Sequence, residues 1–187
     1  LWSRALLERC REGVSPETTQ TRIVVGVDPP ASANGDACGI VVTGMDTNGL
    51  ATVLADASVA RPSPETWARR VAETAAAWSA DRVVAEANQG GAMVESVLRA
   101  ADIALPVKLV HASRGKVARA EPIAALYEAG RVRHAGLFAA LEDELCGLMA
   151  GGDYRGPGRS PDRADALVWA LTELMLTRRA TPRVMQV

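Results

Sequence analysis

Asp28, Glu86 and Asp165 interrupt stretches that are otherwise apolar, and a carboxylate in such a setting must be hydrogen-bonded, paired or bound to a cation. Asp28 closes Ile23-Val24-Val25-Gly26-Val27-Asp28, Glu86 lies in Val83-Val84-Ala85-Glu86-Ala87-Asn88, and Asp165 lies in Ala164-Asp165-Ala166-Leu167-Val168-Trp169. One such residue is ordinarily a satisfied structural group. Three of them, two at the ends of β-rich runs and one in a helix, point to a shared site for a hard cation. Oxygen ligands suit magnesium or manganese better than zinc. Pro29-Pro30 follows Asp28 and ends its strand, because proline supplies no ladder donor. Asp36 can return to the same edge at the start of the next strand, with an ordinary loop aspartate as the alternative. Asp162 stands three residues before Asp165 on one helix face, where the helix dipole already favours an acid. Asp165 lies deeper among alanine and large apolar residues, so it is the preferred ligand and Asp162 an auxiliary candidate.

Lys108, His111, Arg114, Lys116 and Arg119 fall in one stretch without an acid, and Arg131, Arg133 and His134 follow. A short basic run is usually a solvated face. Beside an acidic metal site the same residues can hold a phosphate backbone. The two histidines are isolated and read as structural or phosphate-contacting rather than as metal ligands. Asn88-Gln89-Gly90-Gly91 opens a helix and leaves backbone N–H groups free to meet a phosphate. With four tryptophans, two tyrosines and one phenylalanine, base stacking is not expected to dominate any nucleic-acid contact.

The elements that must position these residues follow from pattern. A helix is expected within residues 1–14, then strands over 22–28, 37–45 and 50–58, with Asp46-Thr47-Asn48-Gly49 as a hairpin turn. Ser63 and Pro64 open a helix reaching about residue 80, as N-cap and first helical position. A fourth strand over 82–88, a helix ending near 101 and a fifth strand over 106–110 come next. Helices over 117–128, 137–150 and 161–178 complete the chain, with a glycine-rich loop at 151–159. The order βββαβαβ followed by helices means a meander leading into parallel crossovers: an α/β fold with a mixed five-stranded sheet and helices on both faces. A fourth strand parallel to the first brings Asp28 and Glu86 to one carboxyl edge, where open α/β sheets place their ligands.

At 187 residues and 48% hydrophobic content the chain suits one ordinary domain with a full core, and no stretch is apolar for long enough to cross a membrane. It begins at Leu1, so it is expected to be a piece of something longer. The net charge of −1 gives no global pull toward nucleic acid, so any such binding must come from local patches. Cys10, Cys38 and Cys146 have no CxxC spacing and read as core or incidental thiols.

Taken together, Arg22-Ile23-Val24-Val25-Gly26-Val27-Asp28-Pro29, Ala85-Glu86-Ala87-Asn88-Gln89-Gly90-Gly91, Lys116-Val117-Ala118-Arg119-Ala120-Glu121-Pro122, Tyr127-Glu128-Ala129-Gly130-Arg131-Val132 and Asp162-Arg163-Ala164-Asp165-Ala166-Leu167 resemble the C-terminal nuclease domain of the large terminase subunit of tailed bacteriophages and gene transfer agents. The resemblance runs from about residue 22 to 176 and keeps the family's order. It implies an RNase H-like fold over 22–178, a linker or N-terminal arm over 1–21 and a tail over 179–187. It further implies metal-dependent endonuclease cleavage of concatemeric double-stranded DNA with little sequence specificity, in the host bacterial cytoplasm. The acidic triad maps to Asp28, Glu86 and Asp165, and some members carry an acid where Asp36 stands. Two Mg2+ or Mn2+ ions would then serve phosphodiester hydrolysis, with Arg114, Lys116, Arg119, Arg131 and Arg133 as DNA-binding candidates. The implied partners are the terminase ATPase domain, the portal and the small terminase subunit. Ser113-Arg114-Gly115-Lys116-Val117 lacks the pattern of a phosphate-binding loop, so no ATPase activity is assigned to this chain. A DNA- or portal-docking module without catalysis and a Holliday-junction resolvase of the same fold are the alternatives.

Overall fold

Alternate residues of β1 (Arg22–Asp28) serve two different cores, as a strand covered on both faces must. Val24 packs with four helices on one side, while Val25 and Val27 pack with two helices on the other. The computed structural model describes residues 1–13, 18–30, 37–88 and 91–177. After α1 (Arg4–Cys10) and β1 come β2 (Ala37–Met45), β3 (Ala51–Asp56), β4 (Val59–Ala60), α2 (Pro64–Ala77), β5 (Arg82–Glu86), α3 (Gly91–Ala101) and β6 (Val107–Val110). Then follow α4 (Lys116–Glu128), β7 (Val132–His134), α5 (Ala139–Gly147) and α6 (Asp162–Leu171), which runs into a π-helical turn over Thr172–Leu176.

The sheet order is β6-β5-β1-β2-β3-β7, with β4 pairing β2. All five expected strands are present, together with the short strands β4 and β7. Strand β1 runs antiparallel to β2 and parallel to β5, and β5 runs parallel to β6. The expected hairpin joins β2 to β3, with Asp46 Oδ1 accepting from the N–H groups of Asn48 at 2.8 Å and Leu50 at 2.9 Å. Ser63 caps α2 by accepting from the Thr66 N–H at 3.3 Å, with Pro64 in the first turn. Strand β7 carries only three residues, Val132, Arg133 and His134, too few for an alternating pattern to stand out; it lies parallel to β3.

Helices α2 and α3 cover one face through Trp67, Val71, Val94 and Leu98. The other face carries α1, α4, α5 and α6. The segment expected to be an arm contributes Leu7 and Trp2 to this second core, and Arg11 pairs with the buried Glu142 at 2.7 Å. Glu142 also accepts from or pairs with the buried His134 at 3.2 Å, whose other ring nitrogen meets the Tyr127 hydroxyl at 2.8 Å. His134 is therefore a structural residue. The three cysteines are free thiols, two of them buried. Among the described residues no helix is long and apolar enough to cross a membrane.

Glycine lets α6 rest directly on the sheet. A methyl group at Gly26 would run into the backbone carbonyl of Ala166, and one at Gly39 into that of Asp162. The facing helix residues are themselves small, Ala166 and Ala170. Gly26→Ala should therefore lower unfolding stability by about 1–3 kcal/mol through overpacking, measured by chemical denaturation. An unchanged midpoint would contradict this contact.

Candidate metal centre

Strand parity sends the first two acids to the same place. Val24, Gly26 and Asp28 share one face of β1, and Gly26 on that face meets α6. On β5, Val84 and Glu86 share the same face. The parallel register aligns Val27 with Ala85, so Asp28 and Glu86 emerge side by side at the carboxyl ends of adjacent strands. Helix α6 then carries Asp162, Asp165 and Trp169 along one side, at spacings of three and four residues, over that edge.

The start of α6 is held by Glu144 of α5. Its carboxylate accepts from the N–H groups of Arg163 at 2.7 Å and Ala164 at 3.1 Å, supplying the acceptor that Pro161 at the N-cap lacks. Arg163 closes the arrangement by pairing with Glu144 at 2.9 Å and Asp56 at 3.2 Å. Asp162 is buried, and its Oδ2 accepts from the Ala37 N–H at 3.2 Å, tying the helix to the start of β2.

Two cations from α4 enter the acid cluster. Arg119 donates through Nη1 to Glu86 Oε2 at 3.2 Å and through Nη2 to Asp165 Oδ1 at 3.1 Å, and its side chain is only 9% exposed. Its guanidinium stacks 4.6 Å from the Trp169 ring centroid. The Trp169 indole N–H in turn donates to Glu86 Oε2 at 2.6 Å. Lys116 pairs with Asp165 Oδ2 and donates to Ser160 Oγ at 2.8 Å, remaining 44% exposed. Asn88 donates to Glu86 Oε1 while its own Oδ1 accepts from the Ala112 N–H at 2.6 Å, which latches the end of β5 to the loop after β6.

The acids differ sharply in how they are satisfied. Glu86 has three donors around it, from Arg119, Trp169 and Asn88. For Asp28 no hydrogen-bond donor to the carboxylate stands among the described residues. Burial, followed by the negative charge of Asp165, pushes the Asp28 pKa well above the usual carboxylate range. Burial also raises Asp165, although Lys116 and Arg119 oppose it. Burial works against the Lys116 ammonium, yet Asp165 and Asp28 hold its pKa above the ordinary lysine value.

An all-oxygen cluster with a desolvated, donor-poor Asp28 fits a hard divalent cation in chemistry. Among the described residues no three acid, histidine or cysteine side chains are arranged to hold a metal as they stand. The positive charge in the cluster is supplied by Arg119 and Lys116.

Asp28, Glu86, Asp165 and Asp162 thus meet at one edge, with Lys116 and Arg119 among them. Arg114 is exposed in the loop after β6, at the same edge. Arg131 is not brought there: it lies before β7 and donates to the Gly49 carbonyl at 2.9 Å, at the hairpin end of the sheet. Arg133 points to the Arg9 carbonyl at 3.4 Å, and Lys108 pairs with Glu173 at 2.7 Å beside Arg22. Asp36 and the Gln89-Gly90 pair lie outside the described residues. Nothing in the local sequence marks the role of Trp169, and Asn88 stands out only as part of the Asn88-Gln89-Gly90-Gly91 turn. Glu144 had a signal, an acid on the stripe formed by Leu141, Leu145 and Leu148.

Residues 25–174 match the family model described as the terminase RNase H-like domain. The chain belongs to that family. This terminase RNase H-like domain is similar in fold to the large terminase nuclease of thermophilic phage G20c solved with magnesium, at TM-score 0.63 and 18% identity over 85% of this chain and 83% of that one. The large terminase of bacteriophage HK97 aligns at TM-score 0.61 and 17% identity, covering 92% of this chain and 43% of that one. The yeast mitochondrial Holliday junction resolvase Ydc2 aligns at TM-score 0.53 and 12% identity, over 94% and 87% of the two chains. No curated protein matches the sequence.

The raised pKa values of Asp28 and Asp165 make the metal-free domain's stability depend on pH. Folded-state values above the ordinary carboxylate value mean that the native state binds these protons first, so stability should rise as pH falls from neutrality toward about 4. Below that the trend reverses, because His134 and Arg11 hold Glu142 down to about 2 despite its burial, and its pairs are lost on protonation. Asp28→Asn should raise the melting temperature at neutral pH in chelator and flatten the rise on acidification. A variant that melts lower, with the pH profile unchanged, would show that Asp28 is already satisfied in the wild type.

Proposed function

We propose that this chain is the DNA-cleaving domain of a genome-packaging large terminase, a divalent-metal-dependent endodeoxyribonuclease acting on concatemeric double-stranded DNA. The observation that carries this reading is the convergence of Asp28, Glu86 and Asp165 on one sheet edge in a chain of the terminase RNase H-like family. The metal-bound structures of the G20c nuclease, with magnesium, cobalt and zinc, support a divalent requirement.

In this reading Asp28 anchors the metal site, Glu86 and Asp165 complete it, and Asp162 braces the start of α6 while adding negative charge. Two Mg2+ or Mn2+ ions, when bound, supply an activated water and stabilise charge on the departing oxygen. The protein's own part is to present carboxylates from two strands and one helix at one sheet edge. Lys116 and Arg114 lie at the exposed rim, where an ammonium and a guanidinium meet phosphate without reading bases. Arg131 and Arg133 stand away from this rim, so any contact they make with DNA lies outside the cutting site. The ATPase domain, portal and small subunit are the proposed partners in packaging, with the host cytoplasm as the place of action.

The fold shared with the Ydc2 resolvase favours junction cleavage as the second reading. Plasmid, linear duplex and four-way junction should be compared with magnesium and with manganese. Plasmid and duplex should be cut without preference for the junction, and chelator should stop all cleavage. Cutting restricted to the junction would favour the resolvase, and no cutting of any substrate would favour a docking module. Asp28→Asn and Asp165→Asn should each reduce plasmid cleavage by about 100-fold or more while circular dichroism stays unchanged. Asp162→Asn should be milder, and an equal loss there would move the ligand from Asp165 to Asp162.

DNA affinity should fall steeply with salt and be the same on unrelated sequences, because phosphate contacts release counterions. Lys116→Ala should weaken binding uniformly and reduce the salt slope by about one. A changed cleavage-sequence preference would contradict a backbone role for Lys116.

A further inference from the structure

Arg119 occupies an unusual position for a residue expected to touch DNA. It is nearly buried, and its two terminal nitrogens are divided between Glu86 and Asp165, two of the three proposed ligands. Its Nε has no hydrogen-bond partner among the described residues, so all its donor contacts within the site go to those carboxylates. Trp169 holds the arrangement from the other side, stacking on the guanidinium and donating to the same Glu86 oxygen that Arg119 contacts. Among the described residues no three acids are placed to hold an ion.

We propose that Arg119 is a resident counter-cation that a divalent ion must displace from Glu86 and Asp165, so that it sets the threshold for metal loading. The proposal rests on the metal-site reading above. A buried cluster of carboxylates is costly without positive charge, and a guanidinium bridging two of them offsets that cost. The same two bonds use the oxygens an incoming ion needs, so metal and Arg119 compete for them. Displacement need not expel the guanidinium, because it already stacks on the indole of Trp169.

Lys116 differs in a way that separates the two cations. Of the acids it pairs with Asp165 alone, and it is far more exposed, so water can replace that pairing at little cost. The competition should therefore be strong at Arg119 and weak at Lys116.

The test is Mn2+ binding to the whole chain without DNA, followed by titration calorimetry or by the electron paramagnetic resonance of free Mn2+. Arg119→Gln should bind Mn2+ about tenfold more tightly than wild type, the equivalent of one charge-assisted hydrogen bond. It should also melt lower in chelator and gain more on adding Mn2+. Arg119→Lys keeps the charge but cannot bridge both carboxylates. It should also tighten binding, by a smaller factor, and it tests the proposal should Arg119→Gln fail to fold. Lys116→Met should change Mn2+ affinity less than Arg119→Gln or Arg119→Lys. Wild-type binding with unchanged or weaker affinity in the Arg119 variants would overturn the proposal and leave the metal site standing. Absence of Mn2+ binding by the wild type would instead overturn the metal reading itself.

Discussion

The contact between α6 and the sheet is the constraint on which the acidic cluster depends. At Gly26 and Gly39 the helix backbone lies where side chains would otherwise stand, and Ala166 and Ala170 keep the facing surface low. A helix seated at that depth carries Asp162 and Asp165 down to the level where Asp28 leaves β1. Were β1 and β2 to carry larger residues at these two positions, α6 would ride outward and its acids would no longer reach the strand ends. The glycines are thus part of the site although they carry no chemistry.

A close packing of this kind brings negative charges together, and the surrounding residues answer it in layers. Glu144 binds the N–H groups at the beginning of α6 and is itself paired with Arg163, so those N–H groups are satisfied without drawing on Asp165. Arg119 and Lys116 bring positive charge from α4, one buried and one at the rim. Asn88 and Trp169 complete the environment of Glu86. Asp28 alone of these acids lacks a donor among the described residues, and burial together with the charge of Asp165 pushes its carboxyl well above the ordinary range. The cluster is balanced as a whole but unevenly by residue, which is the condition under which a divalent ion has most to gain at Asp28.

Much of this architecture could be read from residue order. The apolar runs ending in Asp28 and Glu86 predicted two strands and their common edge, and the parallel register of β1 and β5 bears that out. The pair Asp162 and Asp165 predicted one helix face, and their placement over that edge agrees. Strand β7 was missed because three residues, one of them arginine, carry no usable period, and its pairing with β3 is a tertiary contact. The 1–13 segment reads locally as an amphipathic helix, but nothing local reveals that Leu7 and Trp2 enter the main core. The basic residues were the least legible. Sequence spacing groups Arg131 and Arg133 with Lys116 and Arg119, whereas the turn after α4 carries the first two to the opposite end of the sheet. Spacing also could not distinguish Arg119, turned inward onto carboxylates, from Arg114, turned to solvent.

Locating the ion decides whether Asp28, Glu86 and Asp165 together hold divalent metal. Crystals of the chain soaked in Mn2+ and measured near the manganese absorption edge would reveal the metal by its anomalous signal. Density bounded by those three carboxylates is expected, with Arg119 withdrawn from Glu86 and Asp165. Manganese bound elsewhere, or an occupied site that leaves Asp28 out, would contradict it.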